Sequence, residues 1–320
     1  MRAFVTRQLP EAILAPLRAC AEVEVWPNAD QAVPRQELLR QARAADGLLV
    51  MLTDRVDAEL LAAAPRLRAV STMSVGTDHI ELAACQQRGI VLGYTPDVLT
   101  ETTADLCFAL LLATARRVVE GQRAILAGSW SDWAPFFLAG QDVYGKTIGI
   151  VGLGRIGQAV ARRARGFGMR ILYTGPREKP EAEALGAAFR SLDELLAASD
   201  FVVLLAPLLP GTRHLIGASE LARMQPGAIL INAGRGALVD EQALRAALES
   251  GTIWGAGLDV FEREPIGPEH PLLRYPRVVA LPHLGSATMA SRTAMAALAV
   301  ENLALALSGK PVRFSPHPQG

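Results

Sequence analysis

Short apolar runs alternate with helical patterns along most of the chain, and this alternation occurs in two series. The first series predicts strands at residues 3–5, 23–26, 47–52, 68–72 and 90–92. The second predicts strands at residues 147–151, 170–173, 201–205, 228–232, 253–258 and 278–281. Nearly continuous apolar strands separated by helices of about ten residues are typical of parallel sheets covered on both faces. The pattern therefore predicts two α/β units, each built on a parallel sheet.

Two longer helical stretches lie outside this alternation. Residues 102–126 are apolar almost all round as far as Leu112 and polar later, which predicts a buried helix. Residues 289–307 follow the second unit and have the pattern of another long helix. If this last helix packs back on the first unit, that unit is discontinuous in sequence.

Composition and charge narrow the classes of partner. The chain has 320 residues, of which 50% are hydrophobic and 20% charged, and its formal net charge is zero. It therefore has the length of two globular domains and no basic excess that would attract nucleic acid or an anionic membrane. The apolar run at 107–113 is far shorter than the ~20 residues of a membrane span. The N-terminal residues do not form a signal peptide, and Cys20, Cys85 and Cys107 form no disulfide framework or zinc motif. We expect a soluble, cytoplasmic protein without a metal site.

A glycine motif marks the start of the second unit. The segment KTIGIVGLGRIGQ places Gly152, Gly154 and Gly157 in a GxGxxG pattern between a predicted strand and a predicted helix. In such a turn the glycines permit a tight bend, close approach of a pyrophosphate and close helix–strand packing. The free N–H groups and the dipole of the helix then attract the phosphates. The motif predicts a dinucleotide site, and the alternative is a glycine turn that binds no nucleotide.

The next strand bears on the type of dinucleotide. A site for NAD usually has an acidic residue at the end of this strand, where it binds the ribose 2′-hydroxyl. Thr174 occupies that place, and Arg177 and Lys179 follow in the turn. A hydroxyl and a guanidinium can bind a 2′-phosphate, which an acidic residue would repel. The sequence therefore favours NADP over NAD, unless Arg177 and Lys179 are ordinary solvated loop charges.

Three polar segments follow later strands of the same unit. They contain Arg235 in NAGRG, Asp259 and Glu264 in DVFEREP, and His283 in PHLGS. Ligands of open α/β sheets bind beyond the carboxyl ends of the strands, so an Arg, a Glu and a His are expected to converge there. Taken singly, each could be a loop charge or a structural residue, but together and in this order they indicate a site.

These segments belong to a wider resemblance that covers nearly the whole chain. The sequence resembles the D-2-hydroxyacid dehydrogenase family, and within it the glyoxylate/hydroxypyruvate reductases. The motifs that carry the resemblance are SVGTDHI at 74–80, TPDVLTETTADLCFALLLATARR at 95–117, GLGRIGQA, INAGRGALVD at 231–240, GAGLDVFEREP at 255–265 and LPHLGSAT at 281–288, and those that point to the narrower group are HLGSAT and GSWSDWAP at 128–135. The family fold implies two Rossmann-like or flavodoxin-like parallel-sheet domains. A substrate domain (1–98 and 289–320) would contain an inserted dinucleotide-binding domain (99–288).

The resemblance also implies residue roles. His283 is expected to be the general acid in reduction and the base in oxidation, Glu264 its hydrogen-bond partner, and Arg235 the group that holds the substrate and polarises its 2-oxo group. The expected substrate contacts are the N–H groups of Val75 and Gly76, together with Ser286 and Trp133. The expected dinucleotide contacts are Gly152, Gly154, Arg155, Ile156, Gly157, Thr174, Arg177, Pro207, Ala233, Asp259, His283 and Gly285.

The chemistry supports the central assignments. Hydride arriving at a carbonyl carbon leaves charge on oxygen, so a fixed cation and a proton donor are needed beside it. An adjacent carboxylate favours the protonated form of an imidazole. His79, His214, His270 and His317 lack such an acid in a matching motif, and His79 is the second choice for the proton donor because it lies in the SVGTDHI segment.

Three questions stay open in the sequence. The substrate of the predicted reductase is glyoxylate or hydroxypyruvate, with 2-ketogluconate or a broad range of 2-oxo acids as the alternative. A role as a dinucleotide-binding protein of the corepressor type is a second alternative, because such relatives retain the same three residues. The family is typically dimeric, and the resemblance to the glyoxylate/hydroxypyruvate reductases implies a homodimer in which Trp133 reaches the partner's active site. The aromatic residues at 128–140 are also typical of an interface, and the alternative is that these side chains pack on their own subunit.

Overall fold

The structure is a computed structural model that describes residues 1–316. All strands in this range are arranged in two parallel sheets. The chain forms two compact units: one contains Met1–Leu99 and the segment that begins at Ala287, and the other contains Thr100–Ser286. The prediction of an α/β fold with two parallel sheets is confirmed. Residues 317–320, which include His317 and the end of the predicted 289–320 segment, lie outside the described residues.

The first unit is built on a five-stranded sheet in the order β2-β1-β3-β4-β5, which is a flavodoxin-like order. Its strands are β1 (Arg2–Val5), β2 (Glu22–Val25), β3 (Gly47–Val50), β4 (Ala69–Thr72) and β5 (Val91–Gly93). The helices that connect them are α1 (Glu11–Arg18), α2 (Arg35–Ala42), α3 (Ala58–Ala63) and α4 (Leu82–Gln87). Every residue of β3 and β4 is buried, because both strands lie inside the sheet and have covered faces.

The second unit begins with two helices where the sequence predicts one. Helix α5 (Thr100–Ala115) is largely buried, whereas every residue of α6 (Val118–Leu126) is at least partly exposed. The helix is interrupted at Arg117, whose φ of +54° is left-handed. The prediction of a single helix over 102–126 is therefore wrong, because the apolar pattern that buries α5 stops at the two arginines that follow it.

The sheet of the second unit has the order β12-β11-β10-β9-β6-β7-β8, which is a Rossmann order with one additional strand. Its strands are β6 (Thr147–Val151), β7 (Arg170–Thr174), β8 (Ala187–Phe189), β9 (Phe201–Leu204), β10 (Ile229–Asn232), β11 (Gly255–Leu258) and β12 (Val278–Ala280). Its further helices are α7 (Arg155–Gly166), α8 (Glu181–Leu185), α9 (Leu192–Ala198), α10 (Ala218–Arg223) and α11 (Glu241–Ser250). The strand order reverses between β6 and β9, and parallel sheets bind ligands at such a point.

The last long helix, α12 (Met289–Leu307), belongs to the first unit although it follows the second in the chain. It packs against α1, β3 and β4. Its buried residues include Met295, Val300 and Leu303, so burial of apolar surface holds the helix on this sheet. The first unit is thus formed from two separate segments of the chain.

Candidate active site

The glycine motif lies between β6 and α7 at the point where the strand order reverses. Gly152 has a left-handed φ of +102°, and a Cβ there would lie 2.9 Å from the backbone of Leu205. A Cβ at Gly157 would lie 2.2 Å from the carbonyl oxygen of Gly152, so only glycine allows the helix to pack this closely. At Gly154, by contrast, a Cβ would meet no heavy atom of residues 1–316 within 4 Å. The backbone of Gly154 is therefore open to a ligand.

The amino end of α7 provides the electrostatic part of this cradle. Gly154 is the residue before the helix, and no side chain caps the first N–H groups. These N–H groups have no partner within the helix, and the helix dipole adds positive potential at this end. Both features fit the pyrophosphate of a dinucleotide.

The predicted coenzyme-selecting residues lie at the end of β7. Thr174 is half-buried, and its carbonyl oxygen accepts a hydrogen bond of 3.0 Å from the Gly152 N–H. The strand end is thereby tied directly to the glycine turn. Arg177 is exposed and forms no ion pair with any residue of 1–316, so its guanidinium is available to an external anion. Lys179 is half-buried, with its N–H donating to the Tyr173 hydroxyl at 2.9 Å.

Arg235, Glu264 and His283 follow β10, β11 and β12, which are three neighbouring strands. Nδ1 of His283 lies 2.7 Å from Oε2 of Glu264, and both side chains are 26% exposed. The other carboxylate oxygen of Glu264 accepts a hydrogen bond of 2.9 Å from the Phe261 N–H. No residue of 1–316 hydrogen-bonds Nε2 of His283, which leaves this nitrogen available to a substrate.

The Glu264 carboxyl remains ionised in this setting. Burial alone would raise its pKa. The pKa nevertheless lies below its ordinary value, because His283 hydrogen-bonds the carboxylate, the Phe261 N–H donates to it and Arg235 contributes positive charge. An ionised carboxylate at Nδ1 fixes the orientation of the imidazole.

Asp259 holds the loop that carries the histidine. Its side chain is buried, and its two oxygens accept hydrogen bonds from the N–H groups of Leu284 at 2.7 Å and Gly285 at 2.8 Å. Its carbonyl oxygen accepts a third from the His283 N–H at 2.9 Å. His283 itself has a left-handed φ of +56°. Burial raises the pKa of Asp259, although the two N–H groups oppose the shift. The predicted contact of Asp259 with the nicotinamide end stays a prediction.

Two residues that support Arg235 were missed in the sequence. The buried Asn232 side chain donates to the Arg235 carbonyl oxygen at 2.9 Å and accepts from the Gly234 N–H at 3.2 Å. At Gly236, a Cβ would lie 1.8 Å from the carbonyl carbon of Phe261. Glycine therefore allows the arginine turn to touch the loop that leads to Glu264. The position of Asn232 at a strand end, directly before AGRG, was the available signal.

The other histidines of the second unit also lie near acids, although no sequence motif pairs them with one. Nε2 of His214 is 3.1 Å from Glu262, and Nε2 of His270 is 3.3 Å from Glu241. The acids are distant in sequence, so no motif shows the pairs. In both pairs the carboxylate faces Nε2, whereas in His283 it faces Nδ1.

In the first unit, the predicted carboxylate-binding residues form an exposed turn after β4. No residue of 1–316 accepts a hydrogen bond from the N–H of Val75 or Gly76. Two adjacent N–H groups without an acceptor are a common feature of small anion-binding sites. His79, the second choice for the proton donor, lies in the same segment with Nε2 3.0 Å from the Thr72 hydroxyl.

The remaining predicted dinucleotide contacts also follow strands of the second sheet. Arg155 and Ile156 open α7, Pro207 follows β9 and Ala233 follows β10. Gly285 is buried beside Asp259, and Ser286 is half-buried. All the predicted dinucleotide contacts therefore lie at the carboxyl edge of this sheet or in the loops that leave it.

The aromatic loop that precedes β6 is exposed. Trp133 is 78% exposed, Phe136 86% and Leu126, at the end of α6, 80%. Trp133 and Phe136 therefore do not pack on their own chain, although one alternative for this loop required such packing. Within residues 1–316 no group of three or more His, Cys, Asp or Glu could hold a metal ion. The helices of this range are all too short or too polar to cross a membrane.

A sequence profile of the D-isomer specific 2-hydroxyacid dehydrogenases, for their NAD binding domain, matches residues 108–285. The chain belongs to this family. The resemblance seen in the sequence motifs is thus confirmed, and this 2-hydroxyacid dehydrogenase binds a nicotinamide dinucleotide.

Individual relatives match over most of the dehydrogenase. The glyoxylate reductase of Thermococcus kodakarensis is 51% identical over 307 residues, which are 94% of this chain and 92% of the relative. A crystal structure of a Thermus thermophilus protein is similar with a TM-score of 0.92 and 47% identity, covering 99% of this chain and all of that one. The NADPH-dependent glyoxylate/hydroxypyruvate reductase of Sinorhizobium meliloti, in complex with NADP and malonate, is similar with a TM-score of 0.83 and 37% identity over 95% of this chain and 92% of that one.

Proposed function

We propose that this dehydrogenase reduces small 2-oxo acids, glyoxylate and hydroxypyruvate, to glycolate and D-glycerate. The observation that carries the proposal is the contact of 2.7 Å between His283 and Glu264. These residues follow β12 and β11, and Arg235 follows the adjacent β10. The pair provides a proton donor with a free Nε2, and the arginine provides a fixed cation. The names of the relatives at about half identity point to the same substrate class.

The residues divide the reaction into binding and proton transfer. The bound nicotinamide dinucleotide supplies the hydride. Arg235 and the N–H groups of Val75 and Gly76 hold the substrate carboxylate, and Arg235 also polarises the 2-oxo group. Nε2 of His283 donates a proton to the oxygen, which becomes the 2-hydroxyl group. In oxidation the same nitrogen accepts the proton. Ser286 lines the substrate pocket.

The two units are proposed to have different tasks. The unit that contains Thr100–Ser286 holds the dinucleotide, because its glycine turn and the uncapped α7 fit a pyrophosphate. The unit formed by both ends of the chain contributes the carboxylate-binding turn after β4.

NADPH is the proposed coenzyme. Thr174 replaces the acidic residue that would repel a 2′-phosphate, and the exposed Arg177 has no ion-pair partner among residues 1–316. A charge-assisted hydrogen bond between guanidinium and phosphate would select NADPH over NADH. The NADP bound by the Sinorhizobium relative is consistent with this preference.

The proposed assembly is a homodimer, with the aromatic loop at the contact. Trp130, Trp133, Phe136 and Phe137 are all exposed in the single chain, next to the exposed α6. A contiguous apolar patch of this kind is costly to leave in water, and aromatic residues are enriched at the centres of interfaces. A second copy of the chain covers the patch, and Trp133 reaches the active site of the partner.

Initial rates separate the candidate functions. We expect the highest kcat/KM with NADPH and either glyoxylate or hydroxypyruvate, in a panel that also contains NADH, pyruvate and 2-ketogluconate. A highest value with 2-ketogluconate would replace the proposal by its nearest alternative. Binding of NADPH without turnover of any 2-oxo acid would favour a dinucleotide-sensing protein of the corepressor type.

A substitution at His283 tests the proton donor. His283→Ala is expected to lower kcat by about 10²- to 10⁴-fold, the usual contribution of general acid–base catalysis. The Kd for NADPH, measured by fluorescence titration, is expected to stay within about twofold, because the imidazole transfers a proton rather than anchoring the coenzyme. Near-normal turnover would assign proton transfer to another group.

A further inference from the structure

The carboxylate-binding turn of the first unit is held by a series of hydrogen bonds that includes a histidine. The hydroxyl of Ser74 donates to the carbonyl oxygen of Gly76 at 2.7 Å. The hydroxyls of Ser74 and Thr72 are 2.7 Å apart. Oγ1 of Thr72 lies 3.0 Å from Nε2 of His79. Two hydroxyl groups thus connect the turn to an imidazole.

The directions of these three hydrogen bonds follow from the number of hydroxyl protons available to them. The single hydroxyl proton of Ser74 goes to the Gly76 carbonyl, so Thr72 must donate to Ser74. The single proton of Thr72 is then used, so Nε2 of His79 must donate to Thr72. His79 therefore donates to Thr72 through a proton on Nε2.

These hydrogen bonds act on Gly76, which has the least restricted backbone of the turn. Gly76 has no side chain to limit its backbone, so its carbonyl could rotate towards a bound carboxylate and repel it. The hydrogen bond from Ser74 holds this carbonyl on the inner side. Thr72 and Ser74 are 0% and 4% exposed, so water cannot easily replace the bond if the chain is broken. The Ser74 backbone is itself fixed by the N–H of Thr95, which donates to its carbonyl at 3.0 Å.

We propose that Thr72, Ser74 and His79 are positioning residues that keep the Val75 and Gly76 N–H groups ready for the substrate carboxylate. His79 therefore takes part in binding through the turn rather than in proton transfer. The proposal rests on the proposed function, in which these two N–H groups bind the carboxylate. It adds three residues to the substrate-binding machinery.

Removal of the middle hydroxyl is the first test. Thr72→Val keeps the shape of the side chain and breaks the chain, and Ser71→Ala is the matched control. Ser71 is adjacent, is 1% exposed and has a hydroxyl without a hydrogen-bond partner in residues 1–316. Thr72→Val is expected to raise KM for glyoxylate and Ki for the unreactive analogue oxamate by about 5- to 30-fold, as for one lost buried hydrogen bond. KM for NADPH and kcat are expected to change less than about twofold.

Combined and conservative variants separate positioning from a general loss of structure. Adding Thr72→Val to Ser74→Ala is expected to have no further effect on the oxamate Ki, because Thr72 acts only through Ser74. His79→Gln retains a donor and is expected to bind oxamate nearly as the wild type does, whereas His79→Leu is expected to bind it more weakly. Additive effects, or equal values for Thr72→Val and Ser71→Ala, would overturn the proposal.

The protonated nitrogen of His79 offers a readout that does not depend on activity. Nitrogen-15 NMR above pH 8, with the His79 signal identified by its loss in His79→Gln, is expected to show the proton on Nε2. A proton on Nδ1 would overturn the hydrogen-bond directions. A wild type that reduces no 2-oxo acid contradicts the proposed function. A wild type that turns over normally but has its His79 proton on Nδ1 contradicts only the positioning role of Thr72, Ser74 and His79.

Discussion

Replacing Glu264 by glutamine removes one negative charge and almost no volume, so it isolates the electrostatic part of the His283 pair. In the wild type, one carboxylate oxygen lies 2.7 Å from Nδ1 of His283 and the other accepts the Phe261 N–H. A glutamine amide has one oxygen and one NH2 group, so it cannot accept both hydrogen bonds. It also provides no charge to favour the imidazolium.

The size of the effect follows from this contact. A hydrogen bond between charged groups contributes about 1.5–3 kcal/mol, and both side chains are only 26% exposed, so solvent screening is limited. Loss of this contact is therefore expected to lower kcat/KM for reduction at alkaline pH by about 10- to 150-fold, and the midpoint of the pH–rate profile is expected to fall. In reduction the histidine must be protonated, so the limb where the rate falls with rising pH moves to lower pH. In oxidation it must be neutral, so the rising limb also moves to lower pH.

The assay is the pH dependence of kcat/KM in both directions, with Glu262→Gln as the control. Glu262 lies in the same loop, but its carboxylate accepts from the Glu241 N–H and faces His214 instead of His283. This control is expected to keep the wild-type midpoint. A Glu264→Gln variant that is slower at every pH but has an unchanged midpoint would refute the electrostatic role and leave only orientation of the ring.

The low pKa of Glu264 also sets the pH window for this experiment. Because the folded pKa lies below the ordinary value of about 4.3, the ionised carboxylate stabilises the fold above that pH. This contribution is lost as the pH falls through the folded pKa. Rates measured above about pH 5.5 therefore report on the histidine pair with the Glu264 carboxylate ionised.

Three further substitutions test separate parts of the proposal. Arg177→Ala is expected to raise KM for NADPH by about 10- to 150-fold, which corresponds to the free energy of one charge-assisted hydrogen bond, and to leave KM for NADH unchanged. Equal effects on both coenzymes would show that Arg177 does not bind the 2′-phosphate. Trp133→Ala is expected to raise KM for the 2-oxo acid while sedimentation still reports a dimer, and a wild-type monomer with full activity would exclude the shared site. Gly236→Ala would place a Cβ 1.8 Å from the Phe261 carbonyl carbon. Calorimetry is therefore expected to show a lower Tm, corresponding to about 1–3 kcal/mol of overpacking, and kcat is expected to fall. An unchanged Tm would show that the two turns separate freely.

The fold was predictable wherever burial leaves a continuous apolar run. The segments that became β3, β9 and β10 are buried along their whole length, and their Val, Leu and Ile runs predict strands without further information. The edge strand β8 was missed, because its three residues, Ala187–Phe189, are each only partly buried. Such a short strand is defined by pairing with β7 rather than by its own pattern.

The candidate site was predictable only for residues in recognisable motifs at strand ends. Arg235, Glu264 and His283 lie in such motifs, and the structure places them after three adjacent strands. The pairs of His214 with Glu262 and of His270 with Glu241 were not predictable, because their partners are 48 and 29 positions apart in sequence and meet only in the folded unit. The Thr72–His79 contact was missed for a related reason: it depends on the fold of the turn between them.

The proposed catalytic side chains of the second unit are joined through the backbone as well as through their own contacts. The arginine turn touches Phe261 because Gly236 lacks a Cβ, and the Phe261 N–H donates to Glu264. Glu264 in turn holds the imidazole of His283. The main chain of the histidine is anchored separately, since Asp259 accepts its N–H and the two that follow. A displacement of one turn is therefore expected to shift the next, so we expect Asp259 and Gly236 to affect the geometry of the site without taking part in its chemistry. In the proposed reaction, Arg235 and His283 act on two ends of one small acid, and this requires rigid turns such as those anchored on adjacent strands.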